Sequence, residues 1–413
     1  MKLFRHLACA VAGCLFVACS NTSEPGQLPT APTSLPRPLT SAEQNTLMAA
    51  NDFSFALFRQ LSKSGAKDNV FVSPISASMS LGMTMNGARG TTLDAMRATL
   101  GVSGSDLATI NAGYKGLIDL LRGLDATSTF QIANSIWYKS SVTFSPAFID
   151  TTRKWFDATV RGLNFSDVNG SLATINGWVN TNTSGTIPTI LDNITPDEVM
   201  FLINAIYFKG SWQTKFDPTL TSAQSFHAAD GTTQTVQMMQ RGEYIAPKVR
   251  IASTSRVRAL ELPYGNGSFA MDVLLPSAQN VDIDSIARSL TSAEWASLTA
   301  SFSESDIAVA LPKFTMKYER TLNDDLSALG MGITFSDFAD FSGMGAGSLK
   351  LAFVKQKAFV DVNEDGTVAG ASTITGVVPT SFSEFRVDRP FIFVIRERLS
   401  GTILFMGKVE RLP

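Results

Sequence analysis

The segment covering residues 363–385 constrains the fold of this chain more than any other stretch. It begins with three polar or acidic residues, and no side chain in residues 366–383 carries a charge. Small and β-branched residues favour a strand here, whereas three glycines and Pro379 would make an isolated strand unstable. The composition therefore predicts a segment that can add to an existing sheet but does not form a strand alone. A flexible surface loop is the alternative interpretation.

Alternate side chains of this segment share one face if it becomes a strand. That face comprises Thr367, Ala369, Ala371, Thr373, Thr375 and Val377. None of these side chains is charged or large. The segment can therefore enter a packed sheet without burying a charge or forcing a steric clash.

The sequences on both sides of the segment predict buried strands. Upstream, residues 351–362 alternate between apolar and polar side chains, which predicts a long strand. Downstream, the apolar runs 391–395 and 403–406 are joined by a polar turn that ends at Gly401, which predicts a hairpin. The uncharged segment therefore connects two regions with strong strand signals.

Helix and strand signals alternate through the rest of the chain. Ser41 as a cap and Gln44 as its capping-box partner predict a helix over residues 41–63. Residues 130–138 and 200–212 carry strand signals. Hydrophobic residues make up 44% of the chain, enough for a large core, and no repeat or second linker interrupts it. We therefore expect one α+β domain over residues 41–413.

Several motifs in this chain resemble those of the serpin family. The proximal hinge of that family is matched by Glu364, Gly366, Thr367, Ala369, Gly370, Ala371 and Ser372. Residues 385–395 are similar to its C-terminal signature, and residues 405–409 to its closing strand. Residues 73–76, 133–137, 204–212 and 311–314 are also serpin-like and occur in serpin order. The resemblance implies a serpin fold with three β-sheets, surrounding helices and an exposed reactive-centre loop at about residues 364–385.

The resemblance also implies a serine protease inhibitor that acts as a suicide substrate. A target serine protease would cleave the loop and form an acyl-enzyme, and the freed segment would insert into a sheet and trap the protease covalently. Insertion requires an uncharged Thr367 and small residues after it, and this sequence has both. Val368 departs from the acidic residue usual in the family, but an apolar side chain should not block insertion. The alternative is a non-inhibitory serpin-fold binding or structural protein, whose hinge would typically be charged or bulky.

The resemblance places the reactive bond near the end of the uncharged segment. Counting forward from Gly366 in the family's register places it between Thr380 and Ser381, whereas counting backward from Pro390 places it after Pro379. We adopt the bond between Thr380 and Ser381, because proline before the cut suits few serine proteases. The small apolar residues before this bond predict an elastase-like or subtilisin-like target. Neither Arg nor Lys occurs in residues 366–383, so trypsin-like proteases are not expected targets.

Five further residues match family positions that control opening of the central sheet. Ser73, Ser76 and Asn204 match the region where the sheet opens, and Trp212 matches the tryptophan beneath the point of loop insertion. Gln356 stands where the family often has a histidine. Glutamine donates and accepts hydrogen bonds, but the pH response of this region is expected to differ.

An enzymatic function is disfavoured by the residues present. The chain has two histidines, and His6 lies in the N-terminal signal, which leaves His227 alone. No nucleophile elbow, zinc-protease helix motif or phosphate-binding loop is present, and no His or Cys cluster predicts a metal site. A net charge of −2 gives no electrostatic case for nucleic acid or an anionic membrane. We expect no cofactor, no metal and a monomeric protein.

Residues 1–18 have a basic start and an apolar core that is too short to span a membrane, which predicts a secretory signal peptide. The signal ends in Phe16, Val17, Ala18 and Cys19, which resembles a bacterial lipobox. Cys14 fits the same pattern with a much shorter apolar core. Cys19 is therefore the predicted lipid anchor of a bacterial lipoprotein-like chain. An ordinary cleaved signal with an incidental cysteine is the alternative.

Residues 19–40 are rich in Ser, Thr and Pro and predict a disordered tether. All three cysteines of the chain precede the tether or start it, so the mature domain has no disulfide. We expect the protein to be exported and either lipid-anchored at the cell envelope or cell surface, or extracellular. The lipid would be its only contact with a membrane.

Overall fold

The computed structural model describes residues 31–65, 67–195, 198–241, 248–278, 281–346, 349–367 and 383–413. In these ranges the α-helices are α1 Ser41–Ser64, α2 Pro74–Met85, α3 Gly90–Thr99, α4 Leu107–Arg122, α5 Pro146–Phe156, α6 Val168–Asn182, α7 Ile283–Ala287, α8 Ser292–Ala300 and α9 Asn323–Leu326. The strands are β1 Val70–Val72, β2 Thr129–Lys139, β3 Thr159–Leu163, β4 Met200–Ser211, β5 Ser222–His227, β6 Thr233–Arg241, β7 Lys248–Ser253, β8 Val257–Tyr264, β9 Phe269–Pro276, β10 Ser303–Asp306, β11 Ala308–Pro312, β12 Phe314–Thr321, β13 Lys355–Asn363, β14 Gly366–Thr367, β15 Glu384–Arg386, β16 Phe391–Glu397 and β17 Ile403–Val409.

These strands form three sheets within the described ranges. The central sheet has the order β12-β13-β14-β4-β2-β3, the back sheet β1-β17-β16-β9-β8-β7-β10, and the small sheet β15-β11-β6-β5. Half of the strand pairs described in the back sheet are short hairpins, whereas the central sheet joins strands far apart in sequence. This arrangement confirms the predicted α+β fold with three sheets and surrounding helices.

The back sheet forms the middle of the hydrophobic core. Every residue of β9, β16 and β17 is buried, because helices and the other sheets cover both faces of these strands. Burial on both faces explains why β16 and β17 are continuous apolar runs rather than alternating ones. The predicted C-terminal hairpin is confirmed, and Gly401 lies between its strands with φ +78°.

Helix α6 packs across the outer face of the central sheet. Ile175 and Val179 of α6 belong to a second apolar cluster with Trp137 of β2 and Phe201 and Ile203 of β4. Alternate residues of β4 therefore contact either α6 or the main core. A strand added beside β4 would lie between these two layers.

The first helix begins as predicted, but another pair of residues caps it. Thr40 is the N-cap: its hydroxyl accepts from the backbone N–H of Glu43 at 3.2 Å, and the Glu43 carboxylate accepts from the Thr40 N–H at 2.7 Å. The predicted box of Ser41 and Gln44 is therefore wrong by one residue. The Glu43 carboxylate also binds Arg37, with N–O distances of 2.6 and 2.8 Å. This contact favours the capping box formed by Thr40 and Glu43.

The body of the protein includes residues that the sequence assigns to the tether. Arg37 is held by its bidentate contact with Glu43, Pro32 lines a cavity beside α8, and Ala31 lies against Gly267 in the turn between β8 and β9. Ala31, Pro32 and Arg37 therefore contact the folded domain, although they lie within the predicted tether of residues 19–40. Charge pairing and local fit produce this contact, and neither leaves a periodic signal in a Ser, Thr and Pro-rich stretch.

Candidate functional site at the hinge and the central sheet

The hinge begins a new strand inside the central sheet. After β13, a turn reverses the chain, and Gly366 and Thr367 pair antiparallel with β13 on one side and with β4 on the other. Thr367 lies opposite Val362 and Gly210 at once. Two hinge residues therefore occupy the position between β13 and β4.

Glycine is required at position 366. Gly366 has φ +142°, a conformation that residues with a side chain rarely adopt. A Cβ atom there would lie 2.2 Å from the carbonyl oxygen of Gly210 and 2.6 Å from the Cα of Ser211. The close approach of the two backbones allows the turn after β13 to enter the sheet.

Thr367 is buried, and its hydroxyl is satisfied. Its side chain is 3% exposed, and its Oγ1 lies 3.0 Å from the phenol oxygen of Tyr264 on β8. Burial raises the pKa of Tyr264 above its ordinary value, so the phenol stays neutral and can donate. This pocket accepts a small neutral polar side chain and would penalise a charged one.

Trp212 holds the hinge from the end of β4. Its indole stacks on Tyr264 with ring centroids 4.4 Å apart, and its Nε1 donates to the carbonyl of Asn363 at 2.9 Å. Its backbone N–H donates to the carbonyl of Asp365 at 2.8 Å. The structure thus places Trp212 directly beside the point where the hinge enters the sheet.

Two lysines bind the acidic residues of the hinge turn. Lys313 Nζ lies 3.0 Å from Glu364 Oε2, and Lys215 Nζ lies 2.9 Å from Asp365 Oδ1. Partial burial opposes ionisation of Glu364, but hydrogen bonds from its own backbone N–H, Lys313 and Thr221 outweigh this and lower its pKa. Both acidic side chains of the turn are therefore anchored by ion pairs with lysine. Neither lysine is among the predicted site residues, although Lys313 lies in the serpin-like motif 311–314.

A second cluster lies deeper along β13, where Gln356 binds the start of α2. The amide of Gln356 makes two bonds with the backbone of Ser73: Oε1 accepts from its N–H at 3.0 Å, and Nε2 donates to its carbonyl at 2.8 Å. The hydroxyl of Ser73 donates to the carbonyl of Leu404 on β17 at 2.7 Å. Gln356 is 6% exposed, so these bonds form away from water.

The same region contains a chain of hydrogen bonds that starts from β4. Ser76 on α2 donates to Asn204 Oδ1, Asn204 Nδ2 donates to Asn134 Oδ1 at 2.6 Å, and Asn134 Nδ2 donates to the carbonyl of Phe156 at 2.8 Å. This chain ties β4 to β2 and to the end of α5. Asn134 was not among the predicted site residues, although it lies in the serpin-like motif 133–137.

The five residues predicted to control sheet opening therefore form two clusters. Gln356 and Asn204 of the central sheet bind Ser73 and Ser76 at the start of α2, whereas Trp212 lies with the hinge just after the end of β4. Over the part of the chain that the structure describes, β13 and β4 are joined only through β14. The remaining predicted site residues, Ala369, Gly370, Ala371, Ser372, Thr380, Ser381 and Cys19, lie outside the described residues.

The described residues offer no metal site. No group of three or more His, Cys, Asp or Glu side chains among them is placed to hold a metal ion. His227 is exposed at the end of β5, with its Nδ1 3.4 Å from the hydroxyl of Thr233. Among the helices that the structure describes, none has the length and hydropathy needed to cross a membrane.

Fold and hinge together define a class of three-sheet α+β protein in which two hinge residues lie between strands of the central sheet. The family model for Serpin (serine protease inhibitor) matches residues 48–412. The leukocyte elastase inhibitor of Bos taurus is 34% identical over 381 residues, which cover 88% of this chain and 99% of the bovine protein. The chain belongs to the serpin family.

Solved structures agree with this assignment. The crystal structure of a thermophilic serpin, tengpin, in its native state has a TM-score of 0.82 and 29% identity, and covers 93% of this chain and 97% of tengpin. A complex of thyroxine-binding globulin with thyroxine has a TM-score of 0.80 and 26% identity, and covers 88% of this chain and 98% of the globulin. The serpin fold is thus shared with a thermophilic serpin and with a globulin that binds thyroxine.

Proposed function

We propose that this protein inhibits serine proteases by inserting its cleaved reactive-centre loop into the central sheet while the protease remains bound as an acyl-enzyme. The position of β14 carries the proposal, because Gly366 and Thr367 already start a strand between β13 and β4. A strand that continued from Thr367 would run antiparallel to both neighbours and would gain backbone hydrogen bonds on two sides. The stability that the inhibitor gains on loop insertion would drive the covalent trapping of the protease.

The observed register supports the proposal residue by residue. Each step of two residues along the loop corresponds to two residues back along β13 and along β4. Residue 369 would lie between Val360 and Phe208, and residue 371 between Ala358 and Ile206. Those four flanking side chains are buried, so they mark the inner face of the sheet. Alanine at both loop positions fits a face that is already packed.

In the same register, Thr373 would lie between Gln356 of β13 and Asn204 of β4. Both flanking residues belong to the deeper cluster. Threonine can donate to one amide and accept from the other, so its hydroxyl would be satisfied after burial. The inner face of the sheet is otherwise apolar. Its polar residues Gln356 and Asn204 would thus meet the polar loop residue Thr373. This match between loop and sheet would explain the alternating pattern of residues in the uncharged segment.

We propose elastase-like or subtilisin-like proteases as targets, with Thr380–Ser381 as the reactive bond. Small apolar residues precede this bond, and the bovine relative is named for inhibition of leukocyte elastase. The partner would be one protease molecule bound covalently to one inhibitor monomer. The protein itself would catalyse no turnover.

Incubation with a panel of elastase-, subtilisin-, chymotrypsin- and trypsin-like proteases tests this function. We expect complexes that survive detergent with the first two classes and not with the last, and a released C-terminal peptide that begins at Ser381. Thr367→Arg is the matched control, since it should be cleaved at the same bond without trapping. Cleavage of the native protein without any covalent complex, and without a rise in its melting temperature, would overturn the proposal.

We also propose that the chain is exported and carries a lipid on Cys19. The apolar N-terminal segment and the lipobox-like residues before Cys19 support this placement. Labelling of expressing cells with a fatty-acid analogue should mark the protein, and Cys19→Ser should abolish the label whereas Cys14→Ser should not. Absence of label on the native chain would leave an unanchored, exported inhibitor.

A ligand carrier is the second candidate, because a cavity of about 420 Å³ opens between α1, α8 and the turn after β16. Its apolar lining includes Phe55, Trp295 and Leu399. Its polar lining includes three arginines, Arg250, Arg396 and Arg398, which share the buried carboxylates of Glu261 and Asp272. Glu397, which binds the lining residue Ser400, supplies a third carboxylate, so the three guanidinium groups are balanced in charge. A cavity with apolar walls and several polar groups suits an amphipathic ligand.

Thyroxine is the probe for this second function, since a similar structure is a complex with it. Saturable binding of thyroxine, without any stability gain after loop cleavage, would favour a carrier. Stability gain and covalent trapping would favour the inhibitor. The two measurements use the same protein sample.

A further inference from the structure

Arg241, at the end of β6, is a buried cation without a carboxylate partner. The residue is 7% exposed, its Nε makes no hydrogen bond, and no ion pair involves it within the described part of the chain. Burial lowers the pKa of Arg241 to about 10, so the guanidinium is still charged at neutral pH. Such a group opposes folding, and an apolar side chain of similar size would be more stable in its place.

Within the described residues, the side-chain hydrogen bond and the ring contact of Arg241 both lie on one short segment, the connection from β4 to β5. We call residues 212–217 the strap. Arg241 Nη1 donates to the carbonyl of Thr214, and the guanidinium carbon lies 4.9 Å from the ring centroid of Phe216. The ring of Phe216 in turn meets Trp212 edge to face, with centroids 6.1 Å apart. Arg241 thus holds the strap from the side of the small sheet.

The other side of the strap holds the hinge turn. The backbone N–H of Phe216 donates to the carbonyl of Glu364 at 2.9 Å, and that of Trp212 donates to the carbonyl of Asp365 at 2.8 Å. These two bonds fix the turn that precedes Gly366. The strap therefore lies between Arg241 and the residues that set the register of β14.

We propose that Arg241 is a positioning residue for loop insertion: it fixes the strap, and the strap fixes the hinge turn in the register at which the loop enters the central sheet. The inference rests on the proposed inhibitory function. A pre-formed first pair of inserted residues lowers the entropic barrier to adding the rest of the strand. Loss of that pre-organisation would slow insertion and give the acyl-enzyme time to hydrolyse.

Arg241→Met tests the proposal, because methionine keeps the length of the side chain and its packing on Phe216 but removes the charge and the donors. We expect the intact variant to melt at or above the temperature of the native protein. We also expect roughly two- to tenfold more inhibitor molecules consumed per protease trapped, the range that one lost net hydrogen bond represents. Arg241→Lys should restore most of the trapping, since an ammonium can still donate to Thr214.

A second readout separates this proposal from the proposed function. A metalloprotease, which forms no acyl-enzyme, cleaves the loop, and the fluorescence change of Trp212 then reports the rate of insertion, with Trp212→Phe as the blank. If the loop of the native protein does not insert, both the proposed inhibitory function and the proposed role of Arg241 are overturned. Insertion in the native protein at the rate seen in Arg241→Met would overturn the role of Arg241 alone. A lower melting temperature in both Arg241 variants, in parallel with reduced trapping, would show a merely structural residue and would also overturn the proposal.

Discussion

The hydroxyl of Thr367 lies 3.0 Å from the phenol oxygen of Tyr264, although 103 residues separate them in the chain. The contact joins the hinge to the back sheet through one hydrogen bond between two uncharged groups. It lies beside the stacked indole of Trp212. The first inserted residue of the loop is therefore recognised by shape and by a neutral hydrogen bond.

Replacing Thr367 with a charged residue should abolish trapping. Thr367→Arg would place a cation in a site that is 3% exposed and already filled by Tyr264 and Trp212. We expect the variant to be cleaved as a substrate, with no covalent complex on a denaturing gel. Thr367→Val is the matched control. It keeps the shape, loses the bond to Tyr264 at about 1 kcal/mol, and should still trap the protease. Trapping by Thr367→Arg at the native stoichiometry would contradict this role for the pocket.

Gly366→Ala should displace the hinge from the central sheet. The added Cβ would lie 2.2 Å from the carbonyl oxygen of Gly210, and the backbone has φ +142°. We expect a loss of about 1–3 kcal/mol in the free energy of unfolding and a higher ratio of cleaved to trapped inhibitor. Gly231→Ala is the control, because Gly231 also has a positive φ of +82° but no atom within 4 Å of the added Cβ. It should lose stability through backbone strain alone and trap normally.

Sequence reasoning predicted the parts of this site that carry a local pattern. The apolar runs of the C-terminal hairpin predict buried strands, and the uncharged segment that begins at Gly366 predicts a chain that can join a sheet. The structure pairs Gly366 and Thr367 with β13 and β4 and gives β16 and β17 as adjacent strands. A short local run of suitable residues is enough for such features because it reflects how the segment is buried.

Residues that act through long-range contacts could not be predicted in this way. Tyr264 reaches the hinge only because β8 and β4 meet at an isolated bridge between Trp212 and Tyr264. Asn134 is opposite Asn204 because β2 and β4 pair in one particular register. Arg241 looks like an ordinary strand-end charge until its burial is known. Neither composition nor spacing records these contacts, since each depends on how distant strands align.

Stability near the deeper cluster should not depend on pH between 5 and 8. Gln356 and its partner Ser73 carry no group that titrates in that range. Gln356→His should introduce a dependence, because a histidine with an ordinary pKa of about 6.5 would bury a charge when protonated. Its burial favours the neutral form, so stability should fall as pH drops through about 6.5 and below. Melting temperatures at pH 5 and pH 8 for both proteins measure this difference.

Asn134→Ala should weaken the link between β4 and the end of α5. The change removes the acceptor of Asn204 Nδ2 and the donor to the Phe156 carbonyl, and leaves both buried groups without these partners. We expect a loss of about 2–4 kcal/mol in the free energy of unfolding. Asn182→Ala is the control, because the Asn182 amide bonds only the Trp178 carbonyl of its own helix in the part of the chain described. Equal losses in the two variants, measured by urea denaturation, would contradict a special role for the chain of amides.

Glu410 should make the protein less stable as pH rises. Its side chain is buried beside the Lys408–Asp284 ion pair. Burial raises the pKa of Glu410 above its ordinary value of 4.5. The positive charge of Lys408 opposes this shift, and the negative charge of Asp284 reinforces it. The folded state therefore binds the proton more tightly than the unfolded chain does, so this stabilisation is complete below about pH 4.5 and is lost as pH rises through the folded-state pKa. Glu410→Gln, an uncharged substitute that leaves the Lys408–Asp284 pair in place, should be more stable than the native protein at pH 7 and similar to it near pH 4. Glu304→Gln, at an exposed ion pair with Lys248, should change stability little at either pH. Urea denaturation at both pH values measures the two differences. The opposite result would be a native protein that gains stability relative to Glu410→Gln between pH 4 and pH 7. That result would show that Glu410 is ionised and favourably paired in the folded state.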